Sequence, residues 1–107
     1  MQTLTSGLDH NLDRVYDEWE TTFGFGPCGA YAAMRREDGW GDVAVCTATD
    51  GTVEFTHYVI VQGGAIIDLA NPLGEPLEYS DLDTLDADEM PELVTRLDIR
   101  WLRERMA

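Results

Sequence analysis

Two short glycine-containing segments between three strand-like runs constrain the fold of this chain more than any other feature. The runs, rich in β-branched and aromatic residues, cover 43–49, 52–62 and 65–69, and the segments between them are Asp50-Gly51 and Gly63-Gly64. Runs of this composition are typical of β-strands, and two-residue glycine segments between them are typical of hairpin turns. The stretch therefore predicts a three-stranded antiparallel meander.

The turns also predict which residues face each other. If Gly63-Gly64 is a two-residue turn, Val59 pairs with Asp68 and His57 pairs with Ala70. Paired residues point to the same side of a sheet, and alternate residues along a strand share a side. His57 and Asp68 then become diagonal neighbours on one face, with Cα atoms roughly 7–8 Å apart.

The Asp50-Gly51 turn, treated in the same way, pairs Ala44 with His57. Ala44, Cys46 and Ala48 would then share the face of the histidine, and their small side chains would let a helix pack closely there. Because the opposite face is also apolar, we expect flanking helices to cover both sides of the sheet. The residues predicted for that opposite face are Tyr58, Ile60, Ile67 and Leu69.

The sequence GPCGAYAAMRR, residues 26–36, predicts a helix with a cysteine in its first turn. Pro27 suits the first helical position, and Gly39 suits the end of the helix. Cys28 would then lie beside unpaired backbone N–H groups, at the positive end of the helix dipole. That environment favours the nucleophilic thiolate.

These predictions assemble a nucleophilic set of three residues. Cys28 would attack a carbonyl carbon, and His57 would act as general base and later return the proton to the leaving group. Asp68 would fix the tautomer of the imidazole and stabilise its cation. The N–H of Cys28 is a candidate oxyanion donor, with the second donor being another backbone N–H or the indole of Trp19 or Trp40.

Each member of the set also has a structural interpretation. Cys28 alone would be a buried thiol, since free cysteine behaves as a small hydrophobe. His57 alone would be a core histidine with its hydrogen bonds satisfied, and Asp68 alone could cap the Asn71-Pro72 turn. Cys46 is the alternative nucleophile, because it shares the predicted face of His57.

The segments on either side of this core predict helices and an acidic stretch. Apolar residues at helical spacing predict an amphipathic helix over 6–23. A last helix is expected from Pro91, with a short strand over 98–102 as the competing interpretation. Residues 75–92 carry eight carboxylates and no basic residue, and we expect them to follow the surface. The prediction is an α+β fold in one domain, 1–107, with N-terminal helices packed on a small antiparallel sheet and a C-terminal helix.

The chain is strongly acidic, with a formal net charge of -14. Such a surface repels nucleic acid and acidic membranes and attracts basic partners. It is consistent with a very soluble protein, or with a mimic of nucleic-acid phosphates that blocks a basic groove. No direct binding to nucleic acid or to a membrane is expected.

Cysteine content and hydropathy limit the remaining classes. Two cysteines without C-x-x-C spacing predict neither a disulfide framework nor a zinc site, although a Cys28–Cys46 bridge stays open. We expect no metal and no cofactor. Because there is no membrane-length apolar run and no basic-then-apolar leader, we expect a soluble, cytoplasmic protein.

The order cysteine, histidine, aspartate resembles the papain-like and transglutaminase-like cysteine enzyme superfamily. The resemblance rests on GPCGAY at 26–31, THYVIV at 56–61 and IIDLANP at 66–72, and covers a core of about 24–72. It implies acyl transfer on amides by Cys28, His57 and Asp68, without a metal. The glutamine that such peptidases carry before the cysteine is absent from residues 19–23.

Two functions follow as hypotheses. The first is a thiol-dependent acyl-transfer enzyme of peptidase, deamidase or amidase type, acting on a protein or peptide-like amide. The alternative is an acidic inhibitor or nucleic-acid mimic of phage type, which blocks a basic protein partner and contains an inactive papain-like core.

Overall fold

The computed structural model describes residues 2–107, which form three helices and one five-stranded mixed sheet. The predicted α+β class and C-terminal helix are confirmed. No helix among the described residues is long and apolar enough to cross a membrane. The strands are β1 (Gln2–Ser6), β2 (Asp42–Thr49), β3 (Glu54–Gln62), β4 (Ala65–Asp68) and β5 (Glu78–Thr84), and the helices are α1 (His10–Phe23), α2 (Cys28–Glu37) and α3 (Arg96–Met106).

The strand order is β1-β4-β3-β2-β5, so the predicted meander forms the centre of the sheet. The prediction of a three-stranded, purely antiparallel sheet is wrong, because β5 adds to one edge and β1 adds to the other in parallel with β4. β1 ends at Ser6, the first residue of the helix predicted over 6–23. That helix begins only at His10, where the Asp9 carboxylate accepts a hydrogen bond from the N–H of Asn11 and caps α1.

Strands β3 and β4 pair in the predicted register across the Gly63-Gly64 turn. Both glycines have positive φ, as a tight two-residue hairpin turn requires. The pairing ends at Ile60–Ile67, so neither the predicted Val59–Asp68 pair nor the predicted His57–Ala70 pair forms. Asp68 pairs with Ser6 of β1 instead, and Ala70 bridges to Leu8. Strand β4 therefore separates from β3 before the level of His57.

The β2–β3 connection is longer than predicted. His57 lies opposite Cys46 rather than Ala44, because the loop covers 50–53 instead of two residues. The Asp50 carboxylate accepts hydrogen bonds from two backbone N–H groups of this loop, which stabilises the longer turn. The displacement is two residues, so every side chain keeps its predicted face.

Of the three helices, α2 makes the main contacts with the sheet, so the predicted packing of both N-terminal helices on it is not confirmed. Ala32 of α2 packs against Val43 and Ile60, on the sheet face opposite His57. Helices α1 and α3 pack with α2 in a separate apolar cluster around Leu12, whose other main members are Trp19, Met34, Ile99 and Leu102. The expectation that helices cover both faces is therefore wrong.

The His57 face is covered by the sheet itself. Tyr79 of β5 joins the cluster of small residues on this face and reaches Ser6 of β1, where the two hydroxyl oxygens are 3.0 Å apart. The two edge strands thus approach each other across the face, and the sheet curls. The cluster consists of Ala44, Cys46, Val59 and Ile66, all buried.

The last helix begins at Arg96, later than the predicted start at Pro91. Thr95 and Asp98 form a reciprocal capping box, in which each side chain accepts a hydrogen bond from the backbone N–H of the other residue. The competing prediction of a strand over 98–102 is wrong.

Gly41 should be a position that no other residue can occupy. Its φ is 153°, and a Cβ there would collide with the carbonyl oxygen of Val61. We expect Gly41→Ala to lower the free energy of unfolding by roughly 3 kcal/mol or more, measured by urea denaturation. Gly39→Ala is the matched control, because Gly39 also has positive φ but open space around it, and should cost about 1 kcal/mol. Equal losses in the two variants would contradict this account.

Candidate functional site

His57 and Asp68 form a direct hydrogen bond inside the curled sheet. The His57 Nε2 and Asp68 Oδ2 atoms are 2.9 Å apart, and each residue is 1% exposed. His57 and Asp68 therefore lie side by side on one face of the sheet, as predicted. A buried ionisable pair of this kind is costly unless its polar atoms have partners.

The Asp68 carboxylate has partners on every side. The Tyr79 hydroxyl donates to Oδ2 at 2.6 Å, and the Ala70 N–H donates to Oδ1 at 3.1 Å. Tyr79 is itself held by Ser6. The carboxylate is therefore fixed in position, and so is the imidazole that it binds. Sequence reasoning missed Tyr79, because it lies in the segment expected only to follow the surface.

A buried asparagine organises the turn after β4. Asn71 is 1% exposed, and its side-chain oxygen accepts a hydrogen bond from the N–H of Leu73 at 3.0 Å. Its amide donates to the Ser6 hydroxyl and to the carbonyl oxygen of Glu75. Asn71 thus holds this turn, and the Asp68 carboxylate remains directed at His57.

Cys28 is the first residue of α2 and is half-buried. Pro27 precedes it and provides no side-chain hydrogen bond to the helix, whereas Asp9 and Thr95 cap α1 and α3. The first-turn N–H groups of α2 therefore have no side-chain cap and can bind a negatively charged group.

The N-terminus of α2 is packed tightly against the loop before α3. A Cβ at Gly29 would lie 3.0 Å from Pro91 and 3.3 Å from Val94. A side chain at this position would push its neighbours apart by a few tenths of an ångström, so glycine allows the closest approach. The close packing fixes where Cys28 stands relative to β3.

The charge state of His57 depends on both of its neighbours. Burial alone disfavours the imidazolium, but hydrogen bonding and charge interaction with Asp68 and Cys28 outweigh burial and raise the pKa of His57 to about 9. Cys28 is near enough to influence the ring, although no hydrogen bond of standard length and angle joins the two side chains within residues 2–107. With Nε2 bound to Asp68, Nδ1 is the ring nitrogen left for Cys28.

Cys46 is unsuited to act as the nucleophile. It is 3% exposed, and burial together with the negative charges of Asp68 and Cys28 raises the pKa of its thiol to about 12. The thiol therefore stays protonated at neutral pH. Cys28 and Cys46 are both free cysteines, so the bridge that the sequence left open is not formed.

Neither tryptophan suggested as an oxyanion donor is suited to that role. Trp40 follows the C-terminal end of α2, and a helix of 10 residues separates it from Cys28 by about 15 Å. Trp19 is fully buried among Phe23, Phe25 and Trp101, and its indole N–H has no partner there.

Tyr16 of α1 lies near the cysteine and was missed in the sequence. Its hydroxyl would be 3.3 Å from a Cβ at Gly26. Burial raises the pKa of Tyr16 to about 12, and the charges of Cys28, Glu20 and Asp68 act in the same direction. No motif signals this residue, because its position depends on how α1 packs against the turn before α2.

An open groove of about 280 Å³ runs beside Cys28. The loop before α3 forms one wall, and β3 and the turn before α2 form the others. No group of three or more metal-binding side chains occurs among residues 2–107. The groove is lined by Phe25, Gly26, Cys28, Gly29, Thr56, Tyr58, Glu92, Leu93 and Val94.

Comparison of the chain with protein-family models, with curated proteins and with solved structures finds no match.

The pH dependence of stability should reveal the raised pKa of His57. Its pKa in the folded protein is about 9, above the ordinary value of 6.5, so the folded protein retains a proton that the unfolded chain releases. The resulting stabilisation is fully present below pH 6.5 and is lost as the pH rises through 9. We expect the free energy of unfolding in urea to fall by on the order of 3 kcal/mol across this interval.

Two variants make this measurement specific. Asp68→Asn removes the anion that favours the imidazolium while keeping the size of the side chain, and the fall should then be much smaller. His10→Gln removes the exposed histidine and should behave like the wild type. An equal fall in Asp68→Asn and the wild type would show that this pair does not set the pH dependence.

Proposed function

We propose that this protein is a thiol-dependent acyl-transfer enzyme of peptidase, deamidase or amidase type. Cys28 is the nucleophile, His57 the general base and acid, and Asp68 the residue that orients the imidazole. One observation carries the proposal: His57 is hydrogen-bonded to Asp68 in the interior, and Cys28, which helps to raise the pKa of His57, lines an open groove. Groups with strongly perturbed pKa values are typical of functional sites. The neighbours of His57 on β3, Thr56 and Tyr58, line the groove.

The first half of the reaction forms a thioester. The Cys28 thiolate attacks the carbonyl carbon of the substrate, and the electron pair of the C=O bond moves to oxygen. The His57 imidazolium then gives its proton to the leaving amine as the C–N bond breaks. A pKa of about 9 supports this step, because the ring holds a proton at neutral pH.

The second half regenerates the thiol group. Neutral His57 removes a proton from water, the resulting hydroxide attacks the thioester carbonyl, and the C–S bond breaks to release the carboxylic acid. The proton on the ring balances the restored thiolate. Asp68 stabilises the imidazolium in both halves without taking its proton.

Two donors are suited to the oxyanion that forms in each half. One is the backbone N–H of Cys28, in the uncapped first turn of α2. The other is the hydroxyl of Tyr16, which lies beside Gly26 next to the cysteine. This role for Tyr16 replaces the tryptophan indoles in the proposal.

Membership of the papain-like superfamily is part of the same proposal. Its support is the order of the three residues together with their positions: the cysteine on the first residue of α2, the histidine on β3, and the aspartate at the end of β4. The site consists of this chain's own side chains and backbone groups.

Alkylation of Cys28 should depend on His57. We expect iodoacetamide to modify Cys28 at pH 6.5 at least tenfold faster in the wild type than in His57→Ala, because the imidazolium stabilises the thiolate. The rate at each cysteine is read by mass spectrometry of proteolytic peptides. Cys46→Ala should leave the rate at Cys28 unchanged.

Two outcomes of the alkylation experiment would contradict the proposal. Labelling that is equal at Cys28 and Cys46, or that is indifferent to His57 in a variant shown to be folded by its circular dichroism, would rule out this function.

A second candidate function, an acidic decoy for a basic partner, is favoured by the charges of residues 75–92. All eight carboxylates of this segment are exposed, and none forms an ion pair with an arginine within residues 2–107. Several carboxylates on the helices do form such pairs, as Asp38 does with Arg35 and Arg103. The segment thus keeps its full negative charge available to a partner.

Binding to a basic probe would test this second candidate. We expect a fluorescent peptide from a DNA-binding protein, rich in lysine and arginine, to bind with an affinity that falls steeply with salt. The combined change of Glu78, Asp81, Asp83 and Asp86 to their amides should weaken binding, whereas Cys28→Ala should not. Amide replacement of Asp13, Asp17, Glu18 and Glu20 on α1 is the charge-matched control, and equal weakening by both sets would contradict the assignment.

A further inference from the structure

We infer that the groove beside Cys28 binds a positively charged side chain of the substrate, of the lysine or arginine type, with Glu92 as its counter-charge. This inference rests on the proposed function and adds the substrate class. Three features support it: the apolar walls of the groove, its one charged side chain, and an exposed leucine with an unusual backbone conformation.

The walls of the groove suit the stem of a long cationic side chain. Phe25, Tyr58, Leu93 and Val94 contribute apolar surface along it. Lysine and arginine bury their methylene groups against such surface and keep the charged end near water. An aromatic ring such as that of Phe25 or Tyr58 attracts a cation that lies over its face.

Glu92 is the one charged side chain among the residues that line the groove. It is exposed, and within residues 2–107 it forms no ion pair, so its carboxylate is open to a ligand. Its backbone N–H donates to the Tyr58 hydroxyl at 3.1 Å, which ties the loop to β3. The backbone of Glu92 is therefore held at the groove wall.

Leu93 gives independent support for a binding role of this wall. Its φ is 67°, in the left-handed region that non-glycine residues avoid, and the residue is 71% exposed. The strained backbone thus holds a large apolar side chain in solvent, where it adds nothing to the core. A bound ligand would bury the Leu93 side chain. Backbone strain of this kind is concentrated at functional sites.

The charge of the whole chain favours the same class of substrate. The net charge is -14, and the exposed carboxylates of 75–92 end at Glu92 itself. No arginine lines the groove. The resulting field attracts cations and repels acidic substrates.

Charged thiol reagents can test the inference without knowledge of the natural substrate. Two methanethiosulfonate reagents are compared: one carries a cationic trimethylammonium-ethyl group, and the other carries an anionic sulfonato-ethyl group. The Cys28 thiolate attacks the sulfur that bears this group, a disulfide forms, and methanesulfinate leaves. The ratio of the two rates at Cys28, at low salt, measures the preference of the groove for a cation.

We expect the cationic reagent to react faster with the wild type. Glu92→Gln should lower the ratio of cationic to anionic rates by roughly three- to tenfold, and Glu92→Lys should lower it further. Glu104→Gln, which removes an equal charge from an exposed site on α3, is the matched control and should leave the ratio nearly unchanged. Peptide mapping excludes any contribution from Cys46.

The two proposals fail in different ways in this experiment. A ratio that is the same in the wild type and in Glu92→Gln, or a ratio that Glu104→Gln lowers equally, would overturn the assignment of Glu92. Rates with both reagents that are unaffected by His57→Ala would overturn the catalytic proposal instead, whatever the effect of Glu92.

Discussion

The structure depends most on the buried hydrogen bond between His57 and Asp68. An ionisable pair inside a protein is stable only when its remaining polar atoms are satisfied. That requirement explains why Tyr79 and Ser6, from the two edge strands, meet over the pair. The sheet must curl to bring these edges together, and the face that it encloses is lined with small residues. Those residues are Ala44, Cys46 and Ala48, all buried.

The two faces of the sheet have different environments: one packs against a helix, and the other encloses the polar His57–Asp68 pair. Helix α2 packs on the sheet face opposite His57, and α1 and α3 pack with α2 to form most of the apolar core. The imidazole and its carboxylate are enclosed on the other face, while Cys28 lies at the helix terminus beside the groove. The β3–β4 pairing ends before His57, and Cys28 is near enough to the imidazole to help raise the pKa of His57.

Local signals were sufficient to predict the centre of the fold and part of the site. The Gly63-Gly64 turn sets the register that brings His57 and Asp68 to one face. The predicted length of the β2–β3 loop was wrong by two residues, but the predicted faces were still correct, because side chains alternate between faces with a period of two. The edge strands could not be predicted in this way. Strand β1 pairs in parallel with a strand that is distant in sequence. The sequence of β5 lacks the usual pattern of a strand, because it is rich in carboxylates and its pairing shifts register near Asp81, which has positive φ. Tyr79 and Tyr16 depend on those long-range contacts, so they were missed with them.

The parallel pairing of β1 with β4 also has a consequence for the order of folding. Strands β2, β3 and β4 are joined by short turns, whereas α1, α2 and two further strands lie between β1 and β4 in the sequence. Because closing a longer loop costs more entropy, we expect β1 to pair with β4 late in folding. Until Ser6 and Tyr79 arrive, water can reach the imidazole and the carboxylate. We therefore expect the enclosed His57–Asp68 pair to be completed only in the final stage of chain assembly.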